Sequence, residues 1–267
     1  LHFPDCTWTQ GCDYLDPAVQ DFDAARRAAR EADAVVLCLG GKNGWGRHCN
    51  TGEGNDSASL DLPGAQEALA HAVIAENPRT AVVHTDGRPL TSEWIYDHAA
   101  AVLEAYMPGT WGGEAIADAV AGVFSPAGRL PLDLPRSAGH APVFHAEHCG
   151  STGESFVAGA LNRDGYMFSS NTPLRPFGYG LTYTQFSYSA LSLTVQPDGR
   201  AEAAVTVRNT GDVDSDEVVQ LYGRDVLAGF VRPAQQLRNL IGHQNAHVDG
   251  PAFRFGKIRL RRLPQGP

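Results

Sequence analysis

The chain has 267 residues, a net charge of −9 from 21 Lys and Arg against 30 Asp and Glu, and an apolar fraction of 43%. This composition is that of an ordinary globular chain. Its excess of acidic residues argues against nucleic acids and anionic membranes as partners, because both bind clusters of Lys and Arg. The longest apolar run, residues 34–39, is far shorter than the roughly 20 residues of a membrane-spanning helix. At about 150 residues per domain, the length suggests one large domain or two smaller ones.

The first two thirds of the sequence alternate helical and strand-like patterns. Residues 16–33 predict a helix with Asp16 as its cap, and residues 34–39 predict a strand buried on both faces. This helix-then-strand order returns three times, which indicates an α/β fold with a parallel sheet and helices on both faces, a three-layer sandwich of flavodoxin-like type. The repeats are 64–76 with 81–85, a helix near Trp94 with 101–106, and 113–124 with 130–134.

From about residue 186 the pattern changes to short β-rich segments that alternate apolar and polar residues. Residues 186–195, 201–209 and 217–222 predict strands separated by turn-forming residues. We therefore expect an α/β domain over residues 1–185 and a small antiparallel β domain over residues 186–267. The tail after about residue 238 has too weak a pattern to assign.

Several common functional motifs are absent, which narrows the possible chemistry. The sequence has no G-x-S-x-G nucleophile elbow, no GxxxxGK[ST] phosphate loop and no complete G-x-G-x-x-G after a strand. His140, His145, His148 and Cys149 lie close together in sequence, but their spacing fits none of the usual zinc patterns. We predict neither a metal site nor a cofactor.

The most informative segment follows the first predicted strand. It carries Glu53 and Asp56 in a glycine-rich stretch beyond the carboxyl end of that strand, where open parallel sheets place their ligand sites. The neighbouring glycines allow a ligand to approach these carboxylates closely. The same two residues could instead only cap or solvate a surface loop, and the pattern alone leaves both interpretations open.

A series of short motifs stands along the chain in a fixed order. They are Glu-Ala-Asp-Ala-Val-Val at 31–36, Gly-Glu-Gly-Asn-Asp at 52–56, Leu-Asp-Leu-Pro-Gly-Ala-Gln at 60–66, Asn-Pro-Arg-Thr-Ala-Val-Val at 77–83, Tyr-Met-Pro-Gly at 106–109, Ser-Pro-Ala-Gly-Arg-Leu-Pro at 125–131 and Pro-Phe-Gly-Tyr-Gly-Leu-Thr-Tyr at 176–183. Together they resemble the C-terminal part of glycoside hydrolase family 3, the β-glucosidase and β-xylosidase group. Asn-Thr-Gly at 209–211 and Glu-Val-Val-Gln-Leu-Tyr at 217–222 are similar to the fibronectin type III-like domain of that family.

The resemblance implies a role for Glu53 as the general acid/base of a retaining glycosidase. In the family a preceding (β/α)8 barrel supplies the Asp nucleophile and most sugar contacts, and in retaining hydrolysis the two carboxyl groups lie about 5 Å apart. Glu53 must carry a proton to assist the leaving group and then lose it to activate water, and burial or the neighbouring Asp56 would favour the protonated form. We expect Asp56 and Trp45 to contribute to substrate binding, although packing explains Trp45 as well.

The chain also departs from the family pattern. No segment resembles the barrel or its nucleophile motif, Ser57 replaces an Arg, and Thr110-Trp111 replaces Gln-Glu. We therefore expect the C-terminal portion of an exo-acting β-glycosidase that acts on oligosaccharides or other β-glycosides and is weakly active or inactive alone. The barrel would be supplied in cis or by another chain.

Two alternatives stay open. The chain could be a non-catalytic carbohydrate-binding or barrel-docking module, or an unrelated flavodoxin-like fold with a ligand such as flavin at the same strand ends. No signal peptide opens the printed sequence, and the resemblance favours a secreted or periplasmic location.

Overall fold

The structure is a computed structural model that describes residues 2–143, 169–170, 172–195, 197, 201–224, 238–248 and 253–260. The chain divides into two compact units. The first comprises Leu1–Asp118 and Leu134–Val143, and the second comprises Ala119–Asp133 and the described part of Phe144–Pro267. Among the described residues, no helix has both the length and the apolar character needed to cross a membrane.

The first unit is built on a three-stranded parallel sheet. Its strands are β1 (Val35–Gly40), β2 (Thr80–Thr85) and β3 (Ala101–Glu104), in the order β1-β2-β3. Gly40 pairs with Thr85, and His84 pairs with Glu104, so all three strands end at the same edge of the sheet. The predicted α/β class with a parallel sheet is confirmed.

Four helices precede, alternate with or follow these strands along the chain. They are α1 (Phe22–Glu31), α2 (Gln66–Glu76), α3 (Glu93–His98) and α4 (Gly112–Val120). The core of the first unit joins Leu37 and Leu39 of β1 and Val82 of β2 to apolar side chains of the helices, which include Ala29, Leu69, Val73 and Ile95.

Helix α1 begins later than the sequence predicts. Its cap is Asp21, whose side chain accepts the Ala24 N–H at 3.0 Å, so the prediction of Asp16 as the cap is wrong. Asp16 instead accepts the Ala18 N–H at 2.9 Å in a preceding turn. Because Cys12 and Gln20 pair as an isolated antiparallel bridge, the chain between them is held outside the helix.

One face of β1 is less covered than its apolar sequence predicts. Leu37 and Leu39 are buried in the core, but Val36 is 46% exposed and Cys38 is also exposed. Since neighbouring side chains of a strand point to opposite faces, the described helices cover only the Leu37 face of β1. The expectation of burial on both faces is therefore wrong for the described part of the chain.

A further predicted strand, residues 130–134, is absent from the described structure. Apart from a bridge at Leu134, this segment has no strand structure. Leu130 makes two backbone hydrogen bonds, donating to the Tyr179 carbonyl and accepting from the Gly178 N–H, each at 2.8 Å. Pro131 follows directly and has no N–H to extend this pairing.

The second unit is an antiparallel β structure. Its strands are β4 (Phe186–Val195), β5 (Ala201–Asn209), β6 (Ser215–Arg224), β7 (Arg238–Val248) and β8 (Phe253–Leu260). One sheet has the order β4-β5-β8 and the other pairs β6 with β7. The three strands predicted from sequence are confirmed, and β7 and β8 lie in the tail that the sequence leaves unassigned.

A buried ion pair lies within the second unit. Arg129 donates to Glu217 Oε2 at 2.5 Å, and the Tyr188 hydroxyl donates to Glu217 Oε1. The Arg129 and Glu217 side chains are only 12% and 10% exposed. Burial and the hydrogen bond to Glu217 raise the pKa of Tyr188.

Candidate active site

The loop after β1 is fixed at its base by α2. The Gln66 side chain, which is 2% exposed, accepts the Gly40 N–H at 2.7 Å and donates to the Gly40 carbonyl at 2.8 Å. A Cβ atom at Gly40, which has φ +143°, would lie 2.1 Å from the Thr85 carbonyl oxygen. Glycine is therefore required where the chain leaves the sheet and enters the candidate site.

Two segments of this loop run side by side. Asn43 and Thr51 form a parallel bridge, the Gly44 N–H donates to the Thr51 carbonyl at 3.0 Å, and Thr51 is 4% exposed. The Asn55 side chain closes the same region by donating to the Gly44 carbonyl at 2.7 Å. The loop is therefore ordered by its own hydrogen bonds, although it lies outside the helices and strands.

Glu53 occupies a tight turn on this loop. The Asn55 N–H donates to the Gly52 carbonyl at 3.1 Å, which closes a turn with Glu53 and Gly54 at its centre. Gly54 has φ +76°, the value of the third residue of a type II turn. The Glu53 side chain is exposed, and no hydrogen bond or ion pair from residues 2–143 engages its carboxylate.

The other predicted site residues lie on the same loop. Asp56 is exposed one residue beyond the turn, and Trp45 is 78% exposed. Trp45 and Glu53 each stand two residues beyond the Asn43–Thr51 bridge. The structure thus places the three predicted residues on one loop at the carboxyl edge of the sheet, and their chemical roles stay predictions.

A charged pair that the sequence pattern does not predict adjoins this loop. Asp86, which is 3% exposed, accepts from Arg88 Nε and Nη2 at 3.2 Å each and from the Arg88 N–H at 3.0 Å. A Cβ atom at Gly41 would lie 2.3 Å from Asp86 Oδ2 and 3.0 Å from the Thr51 methyl group. Asp86 and Thr51 therefore both adjoin Gly41 at the base of the loop, and the Asp-Gly-Arg sequence after β2 is the signal that indicates this pair.

A buried polar cluster joins β2, β3 and α3 beneath the same edge. Glu104 accepts from Tyr96 at 2.5 Å and pairs with His84 Nδ1 at 2.6 Å, and the His84 side chain is 1% exposed. Burial and the nearby Glu104 raise the pKa of Tyr106 to about 12. These contacts link secondary-structure elements to one another, so we assign the cluster a structural role.

The structure describes little of the histidine cluster considered for zinc. His145, His148 and Cys149 lie outside the described residues. His140 is 5% exposed and its Nδ1 accepts the Arg136 N–H at 3.3 Å. Within the described part of the chain, no group of three or more His, Cys, Asp or Glu side chains is arranged to hold a metal ion.

Comparison with known proteins identifies the family. The model of the glycosyl hydrolase family 3 C-terminal domain matches residues 7–183, which is more than half of the chain. The chain belongs to glycosyl hydrolase family 3. The loop with Glu53, the parallel sheet and the Asp86–Arg88 pair all fall inside the matched region of this family 3 chain.

Two curated family 3 relatives illustrate the similarity. The chain is 36% identical over 263 residues to a β-xylosidase of Formosa agariphila, and the aligned region covers 97% of this chain and 35% of the relative. It is 37% identical over 221 residues to the periplasmic β-glucosidase of Salmonella typhimurium, and the aligned region covers 81% of this chain and 28% of the relative. The chain thus spans about a third of the length of these relatives.

Solved structures agree with this placement. The β-glucosidase from Listeria innocua, in complex with isofagomine, superposes with a TM-score of 0.78 at 27% identity. The superposition covers 94% of this chain and 34% of that chain. The fold of this family 3 chain therefore corresponds to about a third of a larger β-glucosidase.

Proposed function

We propose that this chain supplies the general acid/base half of the active site of an exo-acting, retaining β-glycosidase of β-glucosidase type. The observation that carries the proposal is the position of Glu53. It is exposed on a closed turn at the carboxyl edge of the parallel sheet, with no partner for its carboxylate among residues 2–143, in a chain that belongs to family 3. The substrates would be oligosaccharides or other glycosides with a terminal β-linked sugar.

In this mechanism Glu53 first donates a proton to the leaving group and later accepts one from water. It first donates a proton to the glycosidic oxygen while an Asp nucleophile, outside this chain, forms a covalent bond to the anomeric carbon. The bond between that carbon and the glycosidic oxygen breaks in the same step, and the leaving group departs as an alcohol. The Glu53 carboxylate then accepts a proton from the water that attacks that carbon and releases the sugar. The turn at Gly52–Asn55 would hold the carboxyl group in place for both steps.

The exposure of Glu53 supports the view that the active site needs another domain. In a glycosidase, burial commonly favours the protonated form of the carboxyl group that acts as proton donor. In the described structure, however, Glu53 and Asp56 are both exposed. A (β/α)8 barrel that covers this edge, in cis or on another chain, would exclude water and bring the nucleophile within about 5 Å of Glu53. Asp56 would then lie beside the substrate, and Trp45 would offer an indole face to the leaving group.

The proposal is tested by replacing the matching C-terminal segment of the Salmonella typhimurium β-glucosidase with this chain. We expect the chimera to hydrolyse 4-nitrophenyl β-glucoside and the isolated chain to show no turnover. In the chimera, Glu53→Gly should abolish this activity, and added azide should restore it with formation of β-glucosyl azide. Asp23→Asn, which changes an exposed carboxylate on α1, is the matched control and should leave the rate unchanged.

Two results would contradict this assignment. One is an active chimera in which Glu53→Gly retains full activity on substrates with poor leaving groups. The other is robust turnover by the isolated chain that is lost on Glu53→Gln, because the barrel would then be unnecessary.

The remaining architectural assignments are part of the same proposal. We propose that the first domain, residues 1–185, is a flavodoxin-like three-layer sandwich, and that residues 186–267 form a fibronectin type III-like domain that begins with β4. The two antiparallel sheets of the second unit support the latter assignment. A secreted or periplasmic location is supported by the name of the periplasmic β-glucosidase relative.

A second candidate function is a non-catalytic carbohydrate-binding or barrel-docking module. The exposed Trp45 favours it, as do Ser57 and Thr110-Trp111, where the chain departs from the family pattern. Calorimetric titration of the chain with glucose, xylose and cellobiose, combined with the azide experiment, separates the candidates. Sugar binding without azide rescue in the chimera would favour the binding module.

A further inference from the structure

We infer that Trp111 forms a second aromatic face of the sugar-binding surface beside Glu53 and, together with Trp45, takes a pyranose ring of the leaving group. The inference rests on the proposed role of Glu53. An acid that protonates the glycosidic oxygen must lie within about 3 Å of it, so the sugar beyond that oxygen contacts the surface around Glu53. Residues on the loops at this edge are therefore the ones that contact the leaving group.

The loop after β3 reaches the Glu53 loop through Gly87. A Cβ atom at Gly87 would lie 3.2 Å from Thr51 Oγ1 and 3.4 Å from Met107 Sδ, so Thr51 and Met107 both adjoin this glycine. Thr51 stands two residues before Glu53, and Met107 stands four residues before Trp111. The loops that follow β1, β2 and β3 thus meet at one point of the carboxyl edge.

A compact turn holds Trp111 close to Met107. The Gly112 N–H donates to the Gly109 carbonyl at 3.1 Å, and Gly109 has φ +76°. A Cβ atom at Gly112 would lie 2.5 Å from the Cβ and Cγ atoms of Pro108, so the chain folds back on itself within this turn. The Trp111 carbonyl accepts the Ala115 N–H at 3.0 Å in the first turn of α4.

The indole ring of Trp111 is accessible to a ligand. Trp111 is 73% exposed and Met107 is 52% exposed, although their backbone is fixed. An indole ring offers a flat apolar face that suits the axial C–H groups of a β-linked pyranose, and burying such a ring is strongly favourable. Trp94 provides a contrast, because His71 and His98 stack on its two sides at centroid distances of 3.5 and 4.2 Å.

The four tryptophans of the chain provide the test. The chain is labelled with 5-fluorotryptophan, the four fluorine resonances are assigned with single Trp→Phe variants, and cellobiose is titrated with mannitol as the acyclic control. We expect the resonances of Trp45 and Trp111 to shift together and to saturate at the same cellobiose concentration. Those of Trp8 and Trp94 should not move.

Affinity measurements complete the test. Trp111→Ala should weaken cellobiose binding by about tenfold, as expected for the loss of one stacking contact, and Trp111→Tyr should retain most of the affinity. Trp8→Ala is the matched control, because Trp8 is 86% exposed but lies outside the three loops, and it should change nothing. Circular dichroism checks that each variant folds.

Three results would overturn the inference. They are a Trp111 resonance that stays fixed while that of Trp45 shifts, unchanged affinity in Trp111→Ala, and no response of any tryptophan to cellobiose. None of them bears on the azide rescue at Glu53, which uses an aryl glycoside and a different readout. Conversely, azide could fail to restore activity to Glu53→Gly while the Trp111 resonance still shifts with cellobiose. That result would reject the acid/base role of Glu53 but leave the sugar-binding role of Trp111 intact.

Discussion

Trp45 and Glu53 occupy matching positions on two parallel segments, each two residues beyond the backbone bridge between Asn43 and Thr51. The hydrogen bond from the Asn55 side chain to the Gly44 carbonyl holds the two segments together immediately beside these residues. The same backbone bridge and hydrogen bond therefore position both the Trp45 indole and the Glu53 carboxylate. Any change that separates the segments should affect both side chains.

Gly52→Ala should disturb this arrangement, whereas Gly54→Ala should not. A Cβ atom at Gly52, where φ is +110°, would lie 2.5 Å from Asn43 Oδ1 and 2.7 Å from the Gly44 carbonyl oxygen. Because a displacement of about 1 Å in a catalytic group can cost about 100-fold in rate, we expect a loss of that order in the chimera. Gly54→Ala, with φ +76° and no atom within 4 Å, should cost only about 1 kcal/mol of strain.

The rates of the two chimera variants on 4-nitrophenyl β-glucoside decide this prediction, with thermal unfolding as the check on folding. Equal activity of the two variants would show that the contacts of Gly52 do not position Glu53.

Gln66→Met should destabilise the first unit. It would leave the buried N–H and carbonyl of Gly40 without their present partners, and each unsatisfied group costs about 1–3 kcal/mol. We expect a total loss of about 2–4 kcal/mol in urea unfolding. The control is Gln10→Met at an exposed glutamine, and a loss at Gln66 no larger than at Gln10 would refute the proposed anchoring.

Thr91→Val should make stability less dependent on acidic pH. Hydrogen bonds from Thr91 and then Ser59 lower the pKa of Asp61, so the folded state favours its ionised form. These bonds therefore stabilise the fold above the unfolded pKa of about 3.9, and the contribution is lost as pH falls through the lower folded value. We expect Thr91→Val to lower the melting temperature at pH 7 and to have little effect at pH 2.

Asp61→Asn tests the cause of that effect. With the carboxylate removed, Thr91→Val should no longer change the difference in melting temperature between pH 7 and pH 2. A pH-independent effect of Thr91→Val in the parent chain would instead indicate loss of packing alone.

Arg129→Met should destabilise the second unit more than removal of the whole ion pair. The substitution leaves the Glu217 carboxylate buried without its cation, which typically costs about 3–5 kcal/mol. In Arg129→Met/Glu217→Gln no buried charge remains, and the oxygen of the introduced amide can still accept from the Tyr188 hydroxyl. We expect the double variant to recover more than half of the loss in guanidinium unfolding, and strictly additive losses would rule out this explanation.

The sequence predicted those parts of the fold whose pattern is local. Continuous apolar residues identified β1 and β2, and the alternating segments from Phe186 identified β4 to β6. The start of α1 was misplaced because two Asp residues, Asp16 and Asp21, can each accept a backbone N–H. The alternating apolar residues of segment 130–134 predict a strand, but Pro131 has no N–H with which to extend the pairing at Leu130.

The candidate site was predictable only as a loop with carboxylates. Glycines around Glu53 indicated a turn beyond β1, but the bridge between Asn43 and Thr51 depends on pairing between residues eight positions apart. The packing of Asp86 against Gly41 joins two different strand ends, and no single segment of sequence carries that information. The exposure of Val36 likewise depends on which elements cover the sheet.

The uncovered face of β1 makes Cys38 a built-in reporter of assembly. Cys38 is free and exposed, as is Cys6, and burial raises the pKa of the Cys38 thiol, so labelling by a maleimide dye is best followed at mildly alkaline pH in a variant that keeps Cys38 as its single cysteine. If further protein packs on this face in a complete enzyme, the same thiol becomes protected and the labelling rate falls. Alkylation kinetics at Cys38 would therefore report whether further protein packs on this face of β1, without the need for a substrate.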